Sequence, residues 1–279
     1  MPLAPSSGAK LYYEEAGAGH PIIFVHEFGG DHRSWESQVR WFSRRYRCIT
    51  FNARGYPPSD VPDDGALYGQ DHAADDIAAV LRHLDIAKAH VVGLSMGAFA
   101  ALHFGMRHKA MASALVLAGG GSGAPSGDRA AFAAESEARA KLFLEKGSAV
   151  VAEEMGHIPT RITLKRKDLR GWQEFVRQLA EHDKRGSALT LRNYQAKRPS
   201  LYDLAEAIRR VEIPTLVAVG DDDTPCIEAS FWLKRTLPKA GLWVCPNTGH
   251  CMNLEEPAAF NQALDDFFAA AEAGRWPPR

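Results

Sequence analysis

The chain has 279 residues, 46% of them hydrophobic, and sets 33 lysines and arginines against 34 aspartates and glutamates for a net charge of −1. That length and apolar content suffice for one large α/β domain with an insertion. The near-neutral balance argues against nucleic acid and anionic membranes as partners and leaves a small molecule as the expected one.

The opening residues, Met1 to Gly8, have neither a basic head nor an apolar run. No later segment approaches the ~20 apolar residues of a membrane span, so a soluble, cytoplasmic protein is expected. Cys48, Cys226, Cys245 and Cys251 show no metal-ligand or C-x-x-C spacing and are expected to be free, mostly buried thiols.

In chain order, Lys10 to Glu15 predicts an early edge strand and Ala16 to His20 the turn that follows it. Pro21-Ile22-Ile23-Phe24-Val25 predicts a buried strand that ends in a glycine-rich corner, His26-Glu27-Phe28-Gly29-Gly30, whose backbone N–H groups can face a pocket. Asp31 or Ser34 should cap a helix carrying Trp35, Val39 and Phe42 on one face. Cys48 to Phe51 is the next strand, and Pro57 and Pro58 rule out a helix in the loop from Asn52 to Asp60. Ile77, Val80, Leu81 and Leu84 are spaced for an amphipathic helix, with Asp71, Asp75 and Asp76 assigned to its solvated face.

The stretch from Ala89 to Leu102 carries the chemistry. Its apolar start suits a strand buried on both faces, and its alanine-rich end suits a helix, so Ser95 falls at the turn between them. Gly93 and Gly97 flank that serine in a G-x-S-x-G spacing, where a Cβ at either glycine would obstruct the close approach of helix and strand. The turn lifts the hydroxyl clear of the sheet and points a helix N-terminus, with the Met96 N–H, at the place where an oxyanion would form.

A further buried strand is predicted at Ala114 to Ala118. Strand–helix alternation then stops for about ninety residues, too long for a structureless loop in a compact domain. Ala130 to Lys146, Ala149 to Met155, Leu169 to Glu181 and Ala188 to Gln195 all look helical, so a helical insertion is placed at residues 122–200, with the core formed by 1–121 and 201–279. The basic stretch from Arg161 to Arg198 is assigned to a solvated outer face in preference to a substrate-anion site.

Alternation resumes with a buried strand at Pro214 to Gly220, followed by Asp221-Asp222-Asp223, a helix from Ile227 to Leu237, a last strand at Gly241 to Cys245 and the loop Asn247-Thr248-Gly249-His250. Pro257 fits the first turn of a closing helix through Phe268.

A serine needs a base within hydrogen-bond reach, and that base needs a carboxylate to hold its tautomer. Ser95, the cluster of three aspartates and His250 each stand just past a predicted strand, where parallel sheets gather functional groups.

With His26 to Gly30, Arg54-Gly55, Gly93 to Gly97, Gly220 to Asp223 and Gly249-His250 followed by Leu254-Glu255-Glu256-Pro257, the chain resembles the α/β-hydrolase superfamily from Lys10 to its final helix. The resemblance implies an α/β-hydrolase fold, a mostly parallel central sheet flanked by helices with an inserted helical cap. It further implies Ser95 as nucleophile, His250 as base, Asp223 as the carboxylate, and an oxyanion hole from the backbone N–H groups of Phe28 and Met96. His26 is expected to brace the oxyanion loop. Glu27 departs from the common His-Gly at that corner: ionised at the pocket mouth it would disfavour anionic substrates and raise the pKa of His250, whereas turned outward it would do neither.

A serine at the elbow argues against the superfamily's haloalkane dehalogenases and epoxide hydrolases, which use aspartate there. A carboxylic-ester hydrolase working through an acyl-enzyme is therefore expected on a small-molecule ester. The alternative is carbon–carbon bond hydrolysis of a dienone-type catabolite, although the Gly-x-Gly-Pro-Gly corner of that group is absent. Lactonase, acyltransferase and perhydrolase chemistry stay open, and a ligand-binding protein without turnover is the least favoured reading. No metal or organic cofactor is implied, and the sequence leaves a homodimer open.

Overall fold

The computed structural model describes residues 1–276. In chain order it contains β1 (Leu3–Ser6), β2 (Ala9–Ala16), β3 (His20–Val25), α1 (Glu36–Phe42), β4 (Tyr46–Phe51), α2 (Gln70–His83), β5 (Ala89–Leu94), α3 (Met96–Arg107) and β6 (Ala112–Ala118). The helical insert follows with α4 (Arg129–Lys146), α5 (Ser148–Gly156), α6 (Pro159–Lys167), α7 (Leu169–Ala180) and α8 (Lys184–Leu189), which runs into a π-helical turn at Thr190–Gln195. The chain then closes with α9 (Ala205–Ile208), β7 (Thr215–Gly220), α10 (Thr224–Thr236), β8 (Ala240–Cys245), α11 (Met252–Glu255) and α12 (Pro257–Glu272).

The eight strands form one sheet in the order β1-β2-β4-β3-β5-β6-β7-β8. Only the pairings at one edge, β1 with β2 and β2 with β4, are antiparallel; β4 through β8 run parallel. Parallel strands need crossovers that cover both faces, so their side chains split between two cores by simple alternation. Ile23, Val25, Val91, Leu115, Leu117 and Val217 pack on one side with residues of α2, α3 and α10. Ile22, Phe24, Val92, Val116, Leu216 and Ala218 pack on the other with Trp35 and Phe42, and with Phe260, Phe267 and Phe268 of α12.

Three expectations need correction. β1 was not anticipated: Leu-Ala-Pro-Ser is short and holds a proline, which an edge strand tolerates because one side of it faces no partner. α6 was missed as well, since Arg-Ile-Thr-Leu-Lys-Arg-Lys is polar and partly β-branched; Pro159 at its first turn was the available start signal. Asp76 is not solvated. It is buried beneath Arg54, whose Nε and Nη2 donate to its two oxygens at 2.8 and 2.7 Å, whereas Asp71 is exposed and Asp75 half-buried beside Arg107 and His108. Arg54 lies outside the helix, so helical periodicity alone could not reveal a partner for Asp76.

Asp31 and Ser34 act together: Asp31 accepts from the Arg33 N–H at 2.8 Å while the Ser34 hydroxyl accepts from the Asp31 N–H at 3.2 Å, capping the single 3-10 turn that leads into α1. All four cysteines are free and buried. Among the described residues, no helix is long and apolar enough to cross a membrane.

Candidate active site

From Ala89 to Gly105 every residue is buried except one: Ser95, which is half-exposed between β5 and α3. Its backbone stands at φ 55° and ψ −113°, a conformation that costs a non-glycine residue about 1–3 kcal/mol and persists only where packing enforces it. The packing is visible at the flanking glycines. A Cβ on Gly93 would lie 2.1 Å from the Gly97 carbonyl oxygen, and one on Gly97 would lie 2.1 Å from that of Val25, so β5, α3 and β3 meet backbone to backbone here. The result is a serine held out of the sheet at the head of a helix.

The loops after β7 and β8 bring Asp223 and His250 together. Asp223 Oδ2 accepts from His250 Nδ1 at 2.8 Å, and both residues are buried. Asp221 and Asp222 are exposed, and Asp221 accepts from the Thr248 N–H at 3.1 Å as part of the turn. Burial works against a charged His250, but the adjacent carboxylate and its hydrogen bond outweigh it and hold the imidazole pKa well above 6.5. The same pairing keeps Asp223 below its ordinary value although burial pushes the other way.

Glu255 fixes the histidine loop. Its two carboxylate oxygens accept from the Gly249 and Cys251 N–H groups at 2.8 and 3.2 Å, one on either side of His250. The insert adds a third support, because the His250 N–H donates to the Thr160 carbonyl at 3.3 Å. Glu255 was part of the sequence motif yet received no role there; a carboxylate five residues after the histidine, at the end of α11, was the signal.

Cys226 also approaches the pair, with its sulfur 3.9 Å from His250 Nδ1 and 3.2 Å from the Gly119 carbonyl oxygen. Asp223, Cys226 and His250 have donor atoms within 4.8 Å of one another, the one such group among the described residues that could hold a metal ion. The chemistry fits proton transfer better: Nδ1 is committed to Asp223, and burial raises the Cys226 thiol above its ordinary value, away from the thiolate a metal would take.

At the corner after β3, the His26 ring bridges two backbone segments. Its Nε2 accepts from the Ala53 N–H at 3.0 Å, so Nδ1 carries the proton and donates to the Glu27 carbonyl at 2.7 Å. Burial lowers this imidazole to about 4, which keeps it neutral and in that tautomer. The Tyr56 hydroxyl donates to the Phe28 carbonyl at 3.0 Å, tying the same corner to the loop after β4.

Glu27 does not turn outward. Its carboxylate is buried, forms an ion pair with Arg161 of α6 and accepts from Cys251 Sγ at 3.1 Å. Burial raises its pKa, but the Arg161 charge and then that of His250 pull it below the ordinary value, so it stays ionised and already neutralised. The expectation of a free carboxylate repelling anions therefore fails. The basic stretch is solvated over most of its length, with Arg166, Arg170, Arg177, Lys184, Arg185 and Lys197 exposed, but the two arginines at its ends, Arg161 and Arg198, are buried.

Ser95 and His250 face a shared cleft of about 680 Å³, counted out to its solvent mouth, between the strand ends and the insert. Phe28, Arg139, Arg161 and Arg198 also line it, with Phe132, Met155, Ile158 and Leu191 as its apolar wall. The Tyr194 hydroxyl, from the π-helical turn, donates to the Met96 carbonyl at 2.9 Å and clamps the insert onto the first turn of α3.

A family model described as alpha/beta hydrolase fold matches residues 20–257, from β3 into the start of α12. The chain belongs to that family. Among curated relatives, the 3-oxoadipate enol-lactonase 1 of Acinetobacter baylyi is 27% identical, with 88% of this chain and 87% of that protein covered. The 2-hydroxy-6-oxo-6-(2'-aminophenyl)hexa-2,4-dienoic acid hydrolase of Metapseudomonas resinovorans is 25% identical over 95% of this hydrolase and 89% of its own length. A thermophilic esterase from Thermogutta terrifontis superposes with a TM-score of 0.83 at 24% identity, covering 94% of each chain, a likeness of fold.

Proposed function

We propose that this hydrolase cleaves carboxylic esters, cyclic esters included, through an acyl-enzyme formed on Ser95. The observation that carries the reading is the Asp223–His250 hydrogen bond of 2.8 Å at the wall of the cleft into which the strained Ser95 projects. Asp223 holds the proton on Nδ1, leaving Nε2 as the basic nitrogen. Ser95 Oγ attacks the ester carbonyl carbon as His250 Nε2 takes its proton. The tetrahedral oxyanion is met by the N–H groups of Met96 and Phe28, the former at the positive end of α3. Collapse expels the alcohol, protonated by His250, and water repeats the sequence to release the acid.

Support comes also from the enol-lactonase and esterase among the similar proteins. The proposal takes residues 122–200 as a helical cap over a core of 1–121 and 201–279, with the cap closing the acyl site. Hydrolysis of a p-nitrophenyl ester series by wild type and Ser95→Ala, with labelling of the serine by a fluorophosphonate, tests the proposal. A loss of at least about 10³-fold in kcat and of all labelling is expected in the variant. A wild type inert to both reagents would leave carbon–carbon bond hydrolysis as the chemistry to assay.

A further inference from the structure

Among the described residues, Arg198 is a buried cation in the cleft with no counter-charge. Only 4% of its surface is exposed, and its guanidinium carbon lies 3.7 Å from the ring centre of Phe99 and 4.7 Å from that of Phe132. Of the five guanidinium N–H donors, one on Nη1 reaches the Gln195 side chain and one on Nη2 the Ser122 carbonyl, while Nε has no partner. No carboxylate stands within 4.0 Å of Arg198 among the described residues.

Desolvating a charge costs several kcal/mol unless an opposite charge answers it. The cost shows in the guanidinium pKa, lowered to about 9 by burial. The other charges of the cleft do not answer it. Glu27 is consumed by Arg161, whose own Nε and Nη1 are buried without partners, and Glu135 is exposed at the rim near the half-buried Arg139. The cleft therefore holds an unmatched excess of positive charge beside the serine. Its place is fixed by Phe99, four residues beyond Ser95 on α3 and so about 6 Å further along that helix.

We propose that Arg198 binds a carboxylate carried on the acyl chain of the substrate, so that the preferred substrates are half-esters of dicarboxylic acids, or lactones bearing a free carboxylate. The proposal rests on the ester-hydrolase reading above. A planar guanidinium fork matches a carboxylate in two-point hydrogen bonding, which a desolvated cleft strengthens. The spacing along α3 places that carboxylate a few methylenes from the ester carbonyl.

The test compares kcat/KM for monoethyl succinate, glutarate, adipate and pimelate with their neutral counterparts, ethyl butanoate to ethyl heptanoate, in which a methyl replaces the carboxylate. Wild type should favour the half-ester at least tenfold at the best chain length. Arg198→Met should bring that ratio to about one, and Arg198→Lys, which keeps charge but loses the fork, should retain part of it. Neutral esters turned over as well as half-esters at every length would overturn the proposal, and so would a ratio that survives Arg198→Met. Should Arg198→Met fail to fold, the wild-type ratio and the Arg198→Lys ratio still decide.

Titration calorimetry of Ser95→Ala with the same half-esters separates binding from turnover. Binding that weakens in Ser95→Ala/Arg198→Lys and disappears in Ser95→Ala/Arg198→Met supports the carboxylate site even where the wild type hydrolyses none of these esters, an outcome that counts against ester hydrolysis alone. An absence of binding at every length overturns the carboxylate site while leaving hydrolysis of neutral esters standing.

Discussion

At the scale of the residue, the proposed mechanism makes His250 the group that sets the pH dependence. The imidazole must be neutral to act as base, and Asp223 holds its pKa above 6.5, so kcat/KM should rise with pH through a midpoint above that value. Stability carries the opposite sign. A folded pKa raised above the unfolded one means that the protonated form stabilises the fold, fully below the unfolded pKa and with loss as pH rises through the folded one. Activity should therefore climb over the window in which this contribution fades, and pH-rate profiles beside denaturant titrations measure both. Asp223→Asn is expected to lower kcat about 10⁴-fold and to move the midpoint down; an unchanged midpoint would remove Asp223 from its role. Glu27→Gln leaves the buried Arg161 without its ion-pair partner and should cost about 3–5 kcal/mol in urea unfolding. Adding Arg161→Met to that variant should recover part of the loss, because both charges are then gone.

At the scale of the element, the elbow depends on three backbones in contact. Gly97→Ala sets a methyl against the Val25 carbonyl, and since neither β3 nor α3 can retreat without opening the sheet, a loss of about 3 kcal/mol or more is expected. Thermal unfolding measures it, and an unshifted Tm would show the elbow to be more pliable than its contacts imply. The strain at Ser95 is held by the same packing, so activity should fall together with stability in this variant. α6 shows the reverse dependence, from site to element: its Arg161 pairs with Glu27 and its Thr160 carbonyl accepts from the His250 N–H, so a helix with weak sequence signals is anchored by the site it covers.

At the scale of the whole molecule, insert and core share one apolar cluster. Phe28, Tyr56, Met96 and Cys251 from the strand ends pack with Phe143, Val151, Leu164, Trp172, Phe175 and Leu191 from the insert. Arg33 reaches Glu181 and Tyr194 reaches Met96 across the same boundary. The insert helices also pack on one another, α5 on α7 and α4 on α8, but core residues complete their apolar cluster, which couples their stability to that of the core. Calorimetric unfolding should therefore show a single transition, with calorimetric and van't Hoff enthalpies equal. Two resolved transitions would make the insert an independent unit.

Much of the core was legible in the sequence because its signals are local. Buried parallel strands announce themselves as apolar runs, the elbow as two glycines spaced about a serine, and the closing helix by its proline; Ser95, Asp223 and His250 each follow such a run. What the tertiary structure decided lies in the partners of charged residues. Glu27 and Arg161 stand 134 positions apart and Arg54 and Asp76 22 apart, and nothing in the sequence around a carboxylate says which distant cation will meet it. Arg198 is the sharpest case: its sequence neighbourhood is basic and polar, which predicts solvent, but its guanidinium lies between two phenylalanine rings contributed by α3 and α4. Periodicity records which residues prefer to leave water, and it is silent on which charges the fold will force to leave with them.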